Sequence, residues 1–86
     1  MYNIIERYIN RMSKEDIKGF ATSKNIELSD DELNFTYDFV KKNYRNILAN
    51  PKLFNLDRYK NNYTEENFSK ITKVWQEYFQ KYSNYL

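Results

Sequence analysis

Three times along this chain a hydroxyl residue stands just ahead of an acidic first turn, framed by two apolar residues. Ser13 is followed by Asp16 and flanked by Met12 and Ile17. Ser29 is followed by Glu32 and flanked by Leu28 and Leu33, and Thr64 by Glu65 and Glu66 between Tyr63 and Phe68. The hydroxyl accepts from the backbone amide three residues on, a carboxylate reciprocates, and the apolar pair staples the entry of the chain. Three such starts commit the chain to helices. With one glycine and one proline in 86 residues, there is almost no material for tight hairpins.

Apolar spacing extends each start into a helix. A short opener over about 2–11 carries Ile4, Ile5, Tyr8, Ile9 and Met12 as one stripe. A second helix, about 14–24, buries Ile17, Phe20 and Ala21; Gly19 weakens it, and Asn25 is its left-handed stop. A third, about 30–49, holds Leu33, Tyr37, Val40, Tyr44, Ile47 and Leu48 in register, with Phe35 and Phe39 as a second strip. Apolar on two sides, it is expected at the centre, and Pro51 ends it by disfavouring helix at Asn50. A fourth, about 65–82, presents Phe68, Ile71, Trp75, Tyr78, Phe79 and Tyr82. The connection 51–62 is long for a compact domain. Its Leu53, Phe54, Leu56 and Tyr59 predict that it packs on the bundle, with a helical turn near 52–60. The expected fold is all-α: one domain, 1–86, a compact bundle of four helices with the long third helix central.

Several chemistries are closed to such a chain. It has no cysteine and no histidine, which removes thiol catalysis and the commonest general base and metal ligand. Asp30, Asp31 and Glu32 are consecutive, so on a helix they diverge; they suit the helix dipole rather than a metal. A helix–turn–helix reading of Ile17, Ala21, Asn25 and Ile26 fails, because the presumed recognition helix would open with three acids where phosphates approach. No catalytic, cofactor or metal site is expected, and the chain reads as a non-enzyme. Residues 2–7 are charged too early for a secretory leader and no run is long enough to span a membrane, so a cytoplasmic location is expected.

Two surfaces remain candidates. Residues 1–40 hold five cations and eight anions, whereas 41–63 hold Lys41, Lys42, Arg45, Lys52, Arg58 and Lys60 against Asp57 alone. Cations interleaved with Tyr44, Phe54, Tyr59 and Tyr63 fit a single-stranded nucleic acid; an acidic protein or the chain's own acidic half fits as well. The second candidate is aromatic: Phe35, Phe39, Phe54, Tyr59 and Tyr85 are not settled by helical register. The first four are the expected interaction aromatics, for a protein partner or a second copy, with burial beneath 51–62 as the alternative. Part of the aromatic excess has another origin. Asn, Lys, Tyr, Ile and Phe make up 44 residues while Ala and Gly make up three, the bias of A/T-rich codons.

The opening Ile4-Ile5, Tyr8-Ile9-Asn10, the stretch Ser13, Ile17, Ala21, Ile26, Leu33, and the later Glu66-Asn67-Phe68 with Lys70-Ile71 resemble the YqfT-like proteins, a small family from Gram-positive bacteria. The resemblance runs over nearly the whole chain. It implies a small helical protein from a low-GC bacterium, and it carries over no catalytic signature or functional residue. The expectation is therefore a small interaction module acting through protein contacts, with another protein or as a homodimer, and an accessory nucleic-acid binder as the alternative.

Overall fold

Each capping signal opens a helix. A computed structural model describes residues 2–83 and contains α1 (Tyr2–Arg11), α2 (Lys14–Ser23), α3 (Asp30–Ala49) and α4 (Glu65–Ser83), with no strand among the described residues. The chain is an all-α bundle. At α2 the Asp16 amide donates to Ser13 Oγ at 3.2 Å, and the Ser13 amide donates to Asp16 Oδ2 at 2.9 Å. Ser29 and Glu32 repeat the reciprocal pair at α3, at 3.2 and 2.8 Å. Asn25 takes φ 61°, the left-handed stop expected of it, and lets the Ile26 amide reach back to Ala21 O at 2.8 Å. Tyr85 lies outside the described residues, as do the side chains of Ile5 and Tyr82.

The third cap is built differently. The Asn67 amide donates to Thr64 Oγ1 at 3.1 Å, as a cap requires, but the residue three positions past Thr64 is this asparagine and not an acid. The acceptor for the Thr64 amide is instead Glu32 Oε2 at 2.9 Å, brought from α3. The starts of α3 and α4 therefore lie side by side.

That shared start explains the long connection. A 20-residue helix is about 30 Å long, nearly the 32 Å long axis of the molecule. The chain leaves α3 at its far end and must return that distance before α4 begins. It does so as a strap containing two 3-10 turns, Pro51–Leu53 and Leu56–Asn62, the second opened by Asn55 Oδ1 accepting from the Asp57 amide. The expected single turn near 52–60 is two turns. As residue numbers rise along the strap, they fall along α3: Phe54 meets Phe39 (ring centroids 5.8 Å), Tyr59 meets Phe39 (4.6 Å) and Phe35 (6.1 Å), and Tyr63 meets Phe35 (5.8 Å). Trp75 of α4 closes on Phe54 at 5.0 Å, and Phe68 on Tyr63 at 6.4 Å. The strap is thus wedged between α3 and α4.

α3 also packs against α2 and α1, which places it at the centre. The tightly buried set is small: Ile17, Ala21, Ile26 and Tyr44, with Glu32 and Asn67 as buried polar residues. Most rings are half-buried and cover one another, which is how a domain this small gains apolar area. Four expected packing positions are corrected: Ile4, Tyr8, Phe20 and Leu53. Ile4 is 70% exposed and Tyr8 67%, because their stripe is wider than one neighbour covers. At 100° per residue they point roughly 140° and 100° away from half-buried Ile9. Phe20 is likewise 47% exposed, its ring tilted against Tyr78 at 6.0 Å. Leu53, expected to pack on the bundle, is 80% exposed, because the strap turns its neighbour Phe54 inward onto Phe39 instead.

Candidate functional site

The basic segment is divided by what its cations touch. Arg45 projects from α3 toward α1, where its Nη2 donates to Glu6 Oε1 and its Nε donates to Tyr44 Oη at 3.2 Å. The Tyr44 hydroxyl donates to the same Glu6 oxygen at 3.1 Å. This triad holds the Glu6 carboxyl below its ordinary value, first through the Arg45 hydrogen bond and then through Tyr44. The Arg45 guanidinium is raised correspondingly, first by its hydrogen bond to Tyr44. One turn earlier, Lys41 Nζ donates to Asn10 O at 3.0 Å, satisfying a carbonyl at the end of α1. Lys41 also lies 5.4 Å from the Tyr37 ring, with Lys14 at 5.5 Å. Lys41 and Arg45 therefore fasten α1 antiparallel along the second half of α3. Lys42, Lys52, Arg58 and Lys60 are exposed and enter no ion pair among the described residues.

The aromatic candidates are brought together. Phe35, Phe39, Phe54 and Tyr59 pack ring on ring between α3 and the strap, each half-buried. Tyr44, named with the cations as a stacking residue, is 7% exposed. Phe54, Tyr59 and Tyr63 are half-buried and spend part of their ring surface on one another, Phe35, Phe39, Phe68 and Trp75.

What the sequence reading missed lies at the two ends of α3. At its start, Glu32 is 4% exposed and accepts three hydrogen bonds: Ser29 N at 2.8 Å, Thr64 N at 2.9 Å and Asn67 Nδ2 at 2.9 Å. Asn67 Nδ2 also donates to Glu27 O at 2.9 Å. Burial raises the Glu32 carboxyl, but these donors together bring it below the ordinary range. Asp30 and Asp31 stay in solvent. The legible signal for Glu32 was the asparagine where the third cap should have an acid: a helix start lacking its own carboxylate borrows one.

Beside Glu32 an open groove of about 800 Å³ runs between the end of α2 and the start of α4, with half-buried Leu28 on its wall and Glu27 and Glu66 at its edge. Lys70 also lines it, with Nζ held by Asn25 O at 2.7 Å and Glu66 at 3.5 Å.

The other missed surface is the outward side of α1. Ile4, Arg7, Tyr8 and Arg11 fall within about 100° of helix arc, all four exposed, and neither arginine enters an ion pair among the described residues. Two apolar side chains one turn apart, interleaved with two guanidiniums, make a cationic apolar strip. It is legible as spacing, but periodicity alone assigns such a stripe to the core.

Comparison with protein-family models, with curated proteins and with solved structures found no match. The likeness to the YqfT-like proteins stays a resemblance. No helix among the described residues is long and apolar enough to cross a membrane.

Proposed function

We propose that this chain is a small, non-enzymatic, cytoplasmic protein-interaction module, and that α1 is its contact element. The observation that carries the reading is the α1 strip. The inner side of the helix is fastened by Glu6, Asn10 and Ile9, while Ile4 and Tyr8 stand about two-thirds exposed on the outer side. Helices in small domains turn their apolar faces inward; this one keeps part of that face for solvent, beside Arg7 and Arg11. Aromatic and arginine side chains are the residue types that dominate binding energy at protein interfaces.

The nucleic-acid alternative is left with Lys42, Lys52, Arg58 and Lys60, beside rings that are already half-buried against one another. Binding through them would show a steep salt dependence that reversing those four charges abolishes.

The test of the module is capture from the source cell with the tagged chain, wild type against Ile4→Glu/Tyr8→Glu. Proteins recovered by wild type, further copies of the chain included, should be lost with the double variant. An identical set from both would refute the assignment of α1, since both positions are surface residues whose replacement leaves the fold intact.

A further inference from the structure

Among the described residues the α1 strip has no ion-pair partner, yet the chain carries a surface that complements it. The groove beside Glu32 is edged by Glu27 and Glu66, and the Glu32–Thr64 hydrogen bond brings the acidic first turns of α3 and α4, with the exposed Asp30, Asp31 and Glu65, to the same end of the molecule. Glu27, Glu66 and the buried Glu32 line it, against one lining lysine, Lys70, already held by Asn25 O and Glu66. Leu28 supplies an apolar wall. Ile4 and Tyr8 with Arg7 and Arg11 present the opposite charge: an apolar edge at Tyr8 and Ile4 beside a cationic edge at Arg11 and Arg7.

The two surfaces do not meet within one molecule. α1 is fastened at Lys41 and Arg45, the groove lies at Ser29 and Glu32, and the separation along α3 is about 20 Å at 1.5 Å per residue. Only Met12 and Ser13 link α1 to α2, too short a tether for α1 to reach the groove while it stays fastened. Pairing of α1 with α1 across a two-fold axis would set Arg7 against its own copy, a like-charge contact. The complementary arrangement is strip into groove.

We propose that the α1 strip of one copy docks in the Glu27/Glu66 groove of a second copy, giving head-to-tail self-association. This inference rests on the reading of α1 as the contact element and names its partner. Such a contact uses different surfaces on the two molecules, so a docked pair still offers one free strip and one free groove. Association therefore grows with concentration rather than stopping at a dimer, unless the rotation closes a ring. Since the attraction is between exposed charges over short distances, salt screens it.

The experiment is sedimentation velocity on the full chain at 50 and 500 mM salt, over roughly 10 μM to 1 mM protein. The wild type should show an average mass that rises with concentration at low salt, with affinity at least tenfold weaker at high salt. Arg7→Glu/Arg11→Glu and Glu27→Arg/Glu66→Arg should each be monomeric alone, and an equimolar mixture of the two should associate again. Circular dichroism of each variant confirms an intact helix content. A wild type that is monomeric throughout, or association that survives either reversal, overturns the proposal. A monomeric wild type together with cellular partners lost on Ile4→Glu/Tyr8→Glu would leave α1 a contact element for another protein. Absence of both would remove the module reading as well.

Discussion

Glu32→Ala removes one side chain and should loosen two helices. The carboxylate accepts from the Ser29 amide, the Thr64 amide and the Asn67 side chain. Ser29 and Thr64 lie at the surface, so water replaces the lost acceptor there, and each bond is worth about 1 kcal/mol net. Asn67 is 8% exposed but keeps Glu27 O, so its loss adds about 0.5–1 kcal/mol. Removing a negative charge from two helix starts adds about 0.3–1 kcal/mol each, part of which the hydrogen-bond figures already contain. The total is about 3 kcal/mol, or roughly 12–24 °C in Tm for a domain of this size. Asp16→Ala is the internal control. It removes the same chemistry at one exposed helix start, where Asp16 accepts from Ser13 N alone among the described residues, and should cost about 0.5–1 kcal/mol.

Urea titration at pH 7, followed by helix circular dichroism and by the fluorescence of the single tryptophan, Trp75, gives both values. Hydrogen exchange then separates the mechanisms. In Glu32→Ala the amides at the start of α4 should exchange faster although the substitution is in α3; in Asp16→Ala they should not. If the two variants lose the same stability within about 0.5 kcal/mol, Glu32 is a local cap and the shared start of α3 and α4 is not held by it.

Acid should act through the same residue. Glu32 and Glu6 are both held below the ordinary 4.5, so the stability they contribute is complete above that pH and is lost as pH falls through their lower folded values. Glu32→Gln should flatten the acid limb of a Tm–pH curve; an unchanged slope would refute the role of its carboxylate. Gly19 lies mid-helix in α2 with open space where a Cβ would stand, so Gly19→Ala should stabilise by about 0.5–1 kcal/mol, read in the same urea titration. Tyr44→Phe removes the hydroxyl between Arg45 and Glu6; faster hydrogen exchange confined to α1 is expected, and uniform loss of protection would show a general core role instead. Phe39→Ala removes contacts to Phe35, Phe54 and Tyr59 at a half-buried position. It should cost about 2–3 kcal/mol, below the value for a fully buried ring, and red-shift the Trp75 emission through Phe54.

Local chemistry was legible in the residues, and long-range placement was not. Caps at Ser13 and Ser29, the stop at Asn25 and the limit before Pro51 are short-range events, and each appears where the residues require it. The stripe on α1 was legible as apolar but not as outward-facing, because the choice between Ile4 and Ile9 is made by Lys41 and Arg45, more than thirty residues away. Glu32 read as one of three first-turn acids. Only the return of the strap, which brings Thr64 to its carboxylate, makes it differ from Asp30 and Asp31. The basic segment shows the same limit. Its charge was plain, but two of its six cations are committed to α1 by geometry that composition does not contain.

The order of ring pairs along the strap also shapes how the chain finds its fold. Positions 39 and 54 meet first in sequence distance, then 39 and 35 with 59, then 35 with 63, and last 32 with 64. These are nested loops. Closing the outermost one directly would cost about 3 kcal/mol of chain entropy, from the logarithmic dependence on loop length. Closing them from the inside outward places most of that cost, about 2.4 kcal/mol, on the 39–54 pair, and each later pair adds only a few tenths of a kcal/mol. α4 can begin only when the last pair is in place, so a chain lacking Phe54 should fold more slowly at every later step while unfolding at a rate less affected.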